Sequence, residues 1–105
     1  MTLAEFRDTL SSASPPAQLP ALLLALWHDA KGNWDAAHKV AQDIGGEDGS
    51  WIHAYLHRKE GDAENAAYWY RRAGKPVSRK SLDDEWEEIA DQMFSREHST
   101  GSGPS

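Results

Sequence analysis

The sequence of 105 residues contains no cysteine. A chain without thiols has no disulfide framework, no thiolate nucleophile and no cysteine-based zinc or iron–sulfur site. Several classes of enzyme are therefore excluded, and the function has to rest on other side chains.

Long hydrophobic runs are also lacking. The longest apolar run extends from Ala21 to Trp27, whereas a helix that crosses a bilayer needs roughly 20 apolar residues. The first ten residues, MTLAEFRDTL, include acidic side chains where a secretory or transit signal would be basic. We therefore expect a cytoplasmic protein that does not associate with membranes.

Positive charge is scarce in the chain as a whole. The formal net charge is −6 at pH 7, which opposes binding to nucleic acid because the phosphate backbone attracts clusters of Lys and Arg. Residues 58–80 are an exception, with seven Lys or Arg against three Asp or Glu. This basic segment can receive an acidic peptide or a phosphorylated ligand, or it can pair with the acidic run DDEWEEIAD at residues 83–91. We favour the internal pairing.

Motifs that would indicate catalysis are missing. No segment matches a nucleophile elbow or a Gly-rich phosphate loop, and no predicted strand precedes the glycines of GGEDG at residues 45–49. We interpret GGEDG as a turn. We expect a protein that is not an enzyme, has no catalytic residue and uses no cofactor.

Capping residues and glycines divide the chain into about six helical segments. Thr2 and Glu5 have the spacing of a capping box at the start of the first segment, and the prolines of SSASPPAQLP mark a connector after it. The later N-cap candidates are Asn33, Ser50, Asp62 and Ser81, and the helix stops are Gly32, Gly45, Gly46, Gly61 and Gly74. We predict an all-α fold with a single domain at residues 1–94 and a disordered tail at residues 95–105.

Part of this pattern is repeated along the chain. Residues 25–45 laid over residues 54–74 share five identities, which are Ala25 with Ala54, His28 with His57, Gly32 with Gly61, Ala37 with Ala66, and Gly45 with Gly74. Small residues recur where helices cross closely, and glycine recurs at both turns. The repeat indicates two helix–turn–helix units that stack, with a helix at each end covering the exposed apolar edges.

The segment EGDAENAAYWYRRA resembles a tetratricopeptide repeat. The matching residues are Gly61, Asp62, Ala66, Tyr70 and Ala73, with Ala54 at the small position of the preceding helix. The resemblance implies helical hairpins with Tyr70 inside the second hairpin, and a concave groove on the side of Trp51 and Tyr55. A longer pattern, W-x-HA-x-LHR-x-EGD followed by NA-x-YWYRRAG, is similar to small bacterial and fungal proteins of unassigned role.

The expected function is non-enzymatic recognition of a peptide or protein partner. Aromatic and Arg side chains dominate interface energetics, and in this hypothesis Trp51, Tyr55 and Trp69 supply apolar area while Arg58 and Arg72 orient carboxylates of the partner. The rings can instead enlarge the limited core of a small domain, and burial of Trp51 and Tyr55 beneath the terminal helices would remove the groove. We expect a monomer, or a weak homodimer formed through an uncovered repeat edge.

The alternative function is a pocket for a small ligand or a metal, built around His28, His53, His57 and Trp69. His53 and His57 are four residues apart, the helical spacing at which two imidazoles reach one ion. The repeat predicts that His28 joins them, and His38 is a further neighbour. A His pair with this spacing also occurs as amphipathic rings packed between helices. We expect that packing role, and no metal.

Overall fold

The computed structural model describes the backbone of residues 1–102 and the side chains of residues 1–95. Within that part of the chain there are six α-helices and no strand, so the predicted all-α architecture is confirmed. The helices are α1 (Leu3–Asp8), α2 (Ala21–Ala30), α3 (Trp34–Ala41), α4 (Gly46–Lys59), α5 (Ala63–Arg72) and α6 (Leu82–Ser102), with a 3-10 turn at Thr9–Ser11 after α1.

Two glycine turns of the same design join α2 to α3 and α4 to α5. Gly32 and Gly61 adopt φ values of 82° and 90°, a left-handed conformation that glycine adopts without steric cost. In both turns the next residue donates its backbone N–H to a carbonyl five residues earlier, Asn33 to His28 and Asp62 to His57. This pattern satisfies carbonyls at the helix end. In the described structure these two pairs make the most extensive helix–helix contacts, and their assignment as repeats stays a prediction.

The same two turn residues also begin the following helices. The side chain of Asn33 accepts a hydrogen bond from the backbone N–H of Ala36, and the side chain of Asp62 accepts one from Asn65. Each residue therefore ends one helix with its backbone and caps the next with its side chain. The result is a pair of tight turns at the shift of 29 residues that the sequence predicted.

Helix α4 begins earlier than the sequence analysis proposed. GGEDG is the first turn of α4 and not a loop, because Gly45 is the N-cap residue and Glu47 and Asp48 lie at the positive end of the helix dipole. Gly49 is required for packing, since a Cβ atom there would lie 1.9 Å from the carbonyl oxygen of Ile44. The interpretation of residues 45–49 as a turn was therefore wrong.

The terminal helices α1 and α6 pack on one another, and α6 also packs on α2 and α4. Phe6 of α1 stacks on Trp86 of α6 with ring centroids 5.7 Å apart, and the Nε1 of Trp86 donates to the backbone carbonyl of Leu26 at 3.0 Å. The core of the described residues combines aliphatic and aromatic side chains from all six helices, including Phe6, Leu23, Leu26, Ala37, Ile52, Leu56, Tyr70, Ile89 and Phe94. Tyr70 is buried in this core.

A buried carboxylate ties three helices together. Glu85 of α6 is 0% exposed, and its side chain accepts hydrogen bonds from Trp51 Nε1 at 3.1 Å, Tyr70 Oη at 2.6 Å and Arg58 Nη1 at 2.8 Å. Burial and the bond to Glu85 raise the pKa of Tyr70 far above its ordinary value, so the phenol remains a donor.

A second buried carboxylate anchors α4 to α2. Asp29 accepts a hydrogen bond from Tyr55 Oη at 2.6 Å and pairs with Lys59 Nζ at 2.9 Å. Burial and the bond to Asp29 raise the pKa of Tyr55. Charged side chains inside a protein need such partners, because leaving them unpaired costs several kcal/mol.

The acidic run of α6 pairs with part of the basic segment, which confirms the internal pairing for two of its members. Arg58 bonds to Glu85, and its guanidinium also donates to the backbone carbonyl of Lys80. Lys80 itself pairs with Glu88 at 3.2 Å. Both contacts cross from residues 58–80 to α6, so two of the seven basic residues pair with the acidic run within the molecule.

Helix α6 extends to Ser102, beyond residue 94, where the predicted domain ends. The predicted disorder of residues 95–105 stays a prediction, because the side chains of residues 96–105 and the backbone of residues 103–105 lie outside the described part. Among the described helices, none combines the length and the hydropathy that a membrane span requires.

Replacing Glu85 by Ala tests the buried network. We expect the free energy of unfolding to fall by about 3–5 kcal/mol, because the change leaves Arg58 and two aromatic donors without a partner. The matched control is Glu88→Ala, which removes a half-exposed ion pair and is expected to cost about 0–1 kcal/mol. Urea denaturation followed by far-UV circular dichroism measures both, and equal losses in the two variants would contradict the network's role.

Candidate functional site

Three histidines from two helices meet beside α5. His38 of α3 lies against His53 and His57 of α4, with ring centroids 5.1 and 5.2 Å away, and the two α4 rings are 6.0 Å apart. One nitrogen from each ring lies within 4.8 Å of the other two. The helical repeat places His53 above His57 on one face of α4, and the packing of α3 on α4 brings in the third ring.

Two indoles flank the histidine triad, defined as His38, His53 and His57. Trp34 stacks on His38 with a centroid distance of 4.8 Å, and its Nε1 donates to the carbonyl of Leu56 at 2.8 Å. Trp69 of α5 stacks on His53 at 4.3 Å. These contacts restrict the rotation of the two outer rings, so the triad is held between α3 and α5.

The ring nitrogens of the triad have different partners. His57 Nδ1 lies 2.6 Å from the Oε1 of Glu60, which leaves His57 Nε2 as the nitrogen available to a ligand. His53 Nδ1 is buried and has no hydrogen-bond partner among the described residues. An unsatisfied buried polar atom costs about 1–3 kcal/mol. His53 Nδ1 is therefore the atom of the triad that lacks a partner.

Burial keeps part of the triad neutral. The pKa of His53 is lowered to about 4, mainly by burial and then by the neighbouring His38 and His57. The pKa of His38 is also lowered, by burial and by His57, against the smaller opposing effects of Glu60 and Asp35. A neutral imidazole offers a nitrogen lone pair, which is the form that binds a metal ion.

The triad opens to solvent through a shallow cavity of about 420 Å³. Besides the three histidines, its walls are Gln42, Asn65 and Trp69. Two carboxylates lie next to the triad at the α4–α5 turn. Donor atoms of His57, Glu60 and Asp62 there also lie within 4.8 Å of one another. Of these, Glu60 is held by His57, and Asp62 caps α5.

The structure contradicts the predicted partner-binding role of Trp51 and Tyr55. Trp51 is 4% exposed and Tyr55 is 2% exposed, because their polar atoms bond to the buried carboxylates Glu85 and Asp29. The prediction of a groove lined by these two rings was therefore wrong. Arg58 also bonds to a buried acid, Glu85.

Trp69 and Arg72 lie on the surface of α5 as predicted, but beside the histidines. The Arg72 guanidinium lies over the rings of Trp69 at 5.6 Å and Tyr68 at 5.7 Å. Tyr68, which the sequence analysis did not include among the site residues, is 46% exposed. Of the five predicted contact residues, Trp69 and Arg72 line the cavities next to the histidine triad.

The sequence predicted a pocket of His28, His53, His57 and Trp69, and His28 was the wrong member. His28 of α2 packs edge-on against Trp27, and no ring contact joins it to the triad in the described structure. His38 takes that place, because α3 lies between α2 and this side of α4. The signal in the sequence was the apolar spacing Trp34, Ala37, His38 and Ala41, which marks the inward face of α3.

No protein family, curated protein or solved structure matches this chain. The resemblance to tetratricopeptide repeats and to the small bacterial and fungal proteins therefore stays a prediction. The chemistry of the site has to be argued from its own residues.

The low pKa of His53 predicts a dependence of stability on pH. As pH falls from about 6.5 towards 4, the unfolded chain takes up a proton at His53 before the folded protein does, so the free energy of unfolding falls by up to about 1.4 kcal/mol per pH unit. His53→Gln removes this contribution, whereas the matched control His28→Gln retains it. Urea denaturation in the presence of a chelator at pH 7.5, 6 and 5 measures the difference, and parallel curves for wild type and His53→Gln would contradict it.

Proposed function

We propose that this protein binds a divalent transition metal ion of the zinc class through His38, His53 and His57. The observation that carries the proposal is the buried, unpartnered Nδ1 of His53 within a cluster of three imidazoles. A bound ion would supply the charge and the coordination that this cluster lacks.

The number and type of donors suit such an ion. Three imidazoles are a known donor set for zinc, with Zn–N bonds of about 2.0–2.1 Å. In tetrahedral geometry those bonds place the nitrogens about 3.3 Å apart, so donor atoms now within 4.8 Å of one another would close by about 1.5 Å or less. Small adjustments of the side-chain angles, with each ring still against its indole, supply movement of that size.

Glu60 and the flanking indoles would orient the ligands. A carboxylate that accepts a hydrogen bond from one imidazole nitrogen directs the other nitrogen at the metal and strengthens it as a ligand, and Glu60 stands in this relation to His57. Trp34 and Trp69 confine the rings of His38 and His53. The site is therefore ordered before an ion arrives, which reduces the entropy lost on binding.

Packing alone explains the triad less well. A hydrocarbon side chain at position 53 would fill the same volume without leaving a polar atom unsatisfied, a state that costs about 1–3 kcal/mol. The three rings would also repel one another if they were protonated together. Neutral imidazoles avoid this repulsion, and an ion bound to His53 Nδ1 would also give that nitrogen a partner.

The donor set selects a class of metal. Imidazole suits Zn²⁺, Cu²⁺, Ni²⁺ and Co²⁺, whereas Mg²⁺ and Ca²⁺ take oxygen ligands. The chain has no cysteine, so the thiolates that bind Cu⁺ tightly are missing. We expect borderline divalent ions to bind and magnesium to fail.

A thermal melt with added zinc, nickel, cobalt or magnesium tests the proposal. An ion at about 100 times its dissociation constant adds about 2.7 kcal/mol, which raises the melting temperature of a domain of this size by about 10 °C or more. We expect that rise with zinc, nickel and cobalt, its reversal by chelator, and no rise with magnesium.

Single substitutions locate the ion. His38→Gln, His53→Gln and His57→Gln are each expected to abolish most of the zinc-dependent rise, whereas His28→Gln is the matched control that keeps it. His38 is half-buried, so its variant keeps the core intact and serves even if the His53 variant unfolds. Binding to wild type that is unchanged in His38→Gln and His57→Gln would sink the proposal, as would the absence of any zinc effect.

A further inference from the structure

The α5–α6 connector, residues 75–80, carries positive charge that the pairing with α6 leaves over. Of its three cations, Lys80 pairs with Glu88 at 3.2 Å. Among the described residues, no carboxylate pairs with Lys75 or Arg79. Two cations of a chain whose net charge is −6 are therefore without an anionic partner in the described structure.

Lys75 and Arg79 line a cavity of about 460 Å³, whose other walls come from α4, α5 and α6. Two carboxylates also line this cavity, but both have partners. Glu85 accepts hydrogen bonds from three side-chain donors, and Glu88 pairs with Lys80. The charge that remains unpaired at the cavity is consequently positive.

Hydrogen bonds fix the backbone of the connector near both ends. The backbone N–H of Lys75 donates to the carbonyl of Tyr70 at 3.0 Å, and the carbonyl of Lys80 accepts from the guanidinium of Arg58. The N–H of Lys80 also donates to Ser78 Oγ at 3.2 Å. The backbone that carries the two unpaired cations is thus ordered before a ligand arrives, which reduces the entropy lost on binding.

Lys75 has donors that nothing in the described structure accepts from. Its side chain is half-buried, and its Nζ lies 4.1 Å from the ring centroid of Trp51. The face of an indole attracts the ammonium charge, but an ammonium also has three N–H donors. A carboxylate in the cavity would accept from these donors, and such charge-assisted hydrogen bonds are stronger than neutral ones.

The surroundings of the two cations favour a peptide over other anions. Val77 lies between them in the sequence and is 54% exposed, and a peptide can contact it with an apolar side chain, whereas a free phosphate cannot. Asp83 and Asp84 are exposed at the start of α6, directly after the connector. These acids would repel a long polyanion such as nucleic acid, so the acidic part of the ligand has to be short.

We infer that the α5–α6 connector binds a short acidic segment of a partner protein, with carboxylates on Lys75 and Arg79 and an apolar side chain against Val77. None of the three triad histidines is among the residues that line this cavity. The interaction therefore does not require a metal ion, and it is independent of the proposed metal site.

An NMR titration of the full, metal-free, ¹⁵N-labelled chain tests the inference. The probes are a hexapeptide of alternating glutamate and leucine, the same peptide with glutamine for glutamate, and inorganic phosphate. We expect the acidic peptide to shift the amide signals of residues 75–80 and to bind about fivefold or more tightly than the glutamine peptide. This advantage should shrink as the salt concentration rises from about 0.05 to 0.3 M, because salt screens exposed charges.

Substitutions locate the binding surface. Lys75→Gln and Arg79→Gln are each expected to weaken the acidic peptide about three- to fivefold, in line with the contribution of an exposed ion pair. Arg71→Gln is the matched control that keeps the affinity, because Arg71 is an exposed cation outside the cavity. Arg79 is exposed, so its variant preserves the fold and serves even if Lys75→Gln unfolds.

Several results would overturn the inference. They are equal binding of the two peptides, an unchanged affinity in Arg79→Gln, amide shifts confined to residues outside the connector, and the absence of binding. Phosphate that binds as tightly as the acidic peptide would show a site for small anions and would equally contradict a peptide site. The metal proposal stands or falls separately, on the zinc-dependent melts of the histidine variants.

Discussion

The hydrogen bonds around the buried Glu85 carboxylate determine which side of α4 is available for function. They attach Trp51 and Arg58 of α4 to α6, and Tyr55 is held in the same direction by Asp29 of α2. These three α4 residues are spaced at intervals of four and three, so they form one face of the helix. That face of α4 packs against the core.

His53 and His57 lie on the other side of α4. A displacement of two residues along a helix rotates the side chain by about 200°, so His53 points away from Trp51, and His57 away from Tyr55. Their neighbours are therefore α3 and α5, which supply His38, Trp34 and Trp69 instead of carboxylates. On one side of α4, Trp51, Tyr55 and Arg58 each bond to a buried acid, while the other side carries an unpaired nitrogen of His53.

Much of the helical architecture could be predicted from local sequence. The capping box of Thr2 and Glu5 and the caps at Asn33, Asp62 and Ser81 all form as expected, because capping depends on a few adjacent residues. GGEDG was misinterpreted because two glycines outweighed the acidic residues that favour a first helical turn. Periodicity also indicated that Trp51 and Tyr55 share a face, but not which helix covers it. That outcome depends on Glu85, one acid among many in α6, whose burial only the tertiary structure reveals.

The candidate site shows the same division between local and tertiary information. The spacing of His53 and His57 is local and was predicted, whereas the choice of His38 over His28 depends on how the first hairpin lies against α4. The repeat made His28 equivalent to His57, yet equivalent residues of stacked hairpins are separated by the helix between them. The residue that completes the triad thus comes from the intervening helix, where sequence equivalence has no bearing. A site assembled in this way depends on how α3 packs on α4, and the buried acids on the far side of α4 connect that helix to α2 and α6. The buried acids and the histidine triad lie against opposite sides of α4. The bonds to the acids fix the position of α4, and that position determines where His53 and His57 lie relative to His38.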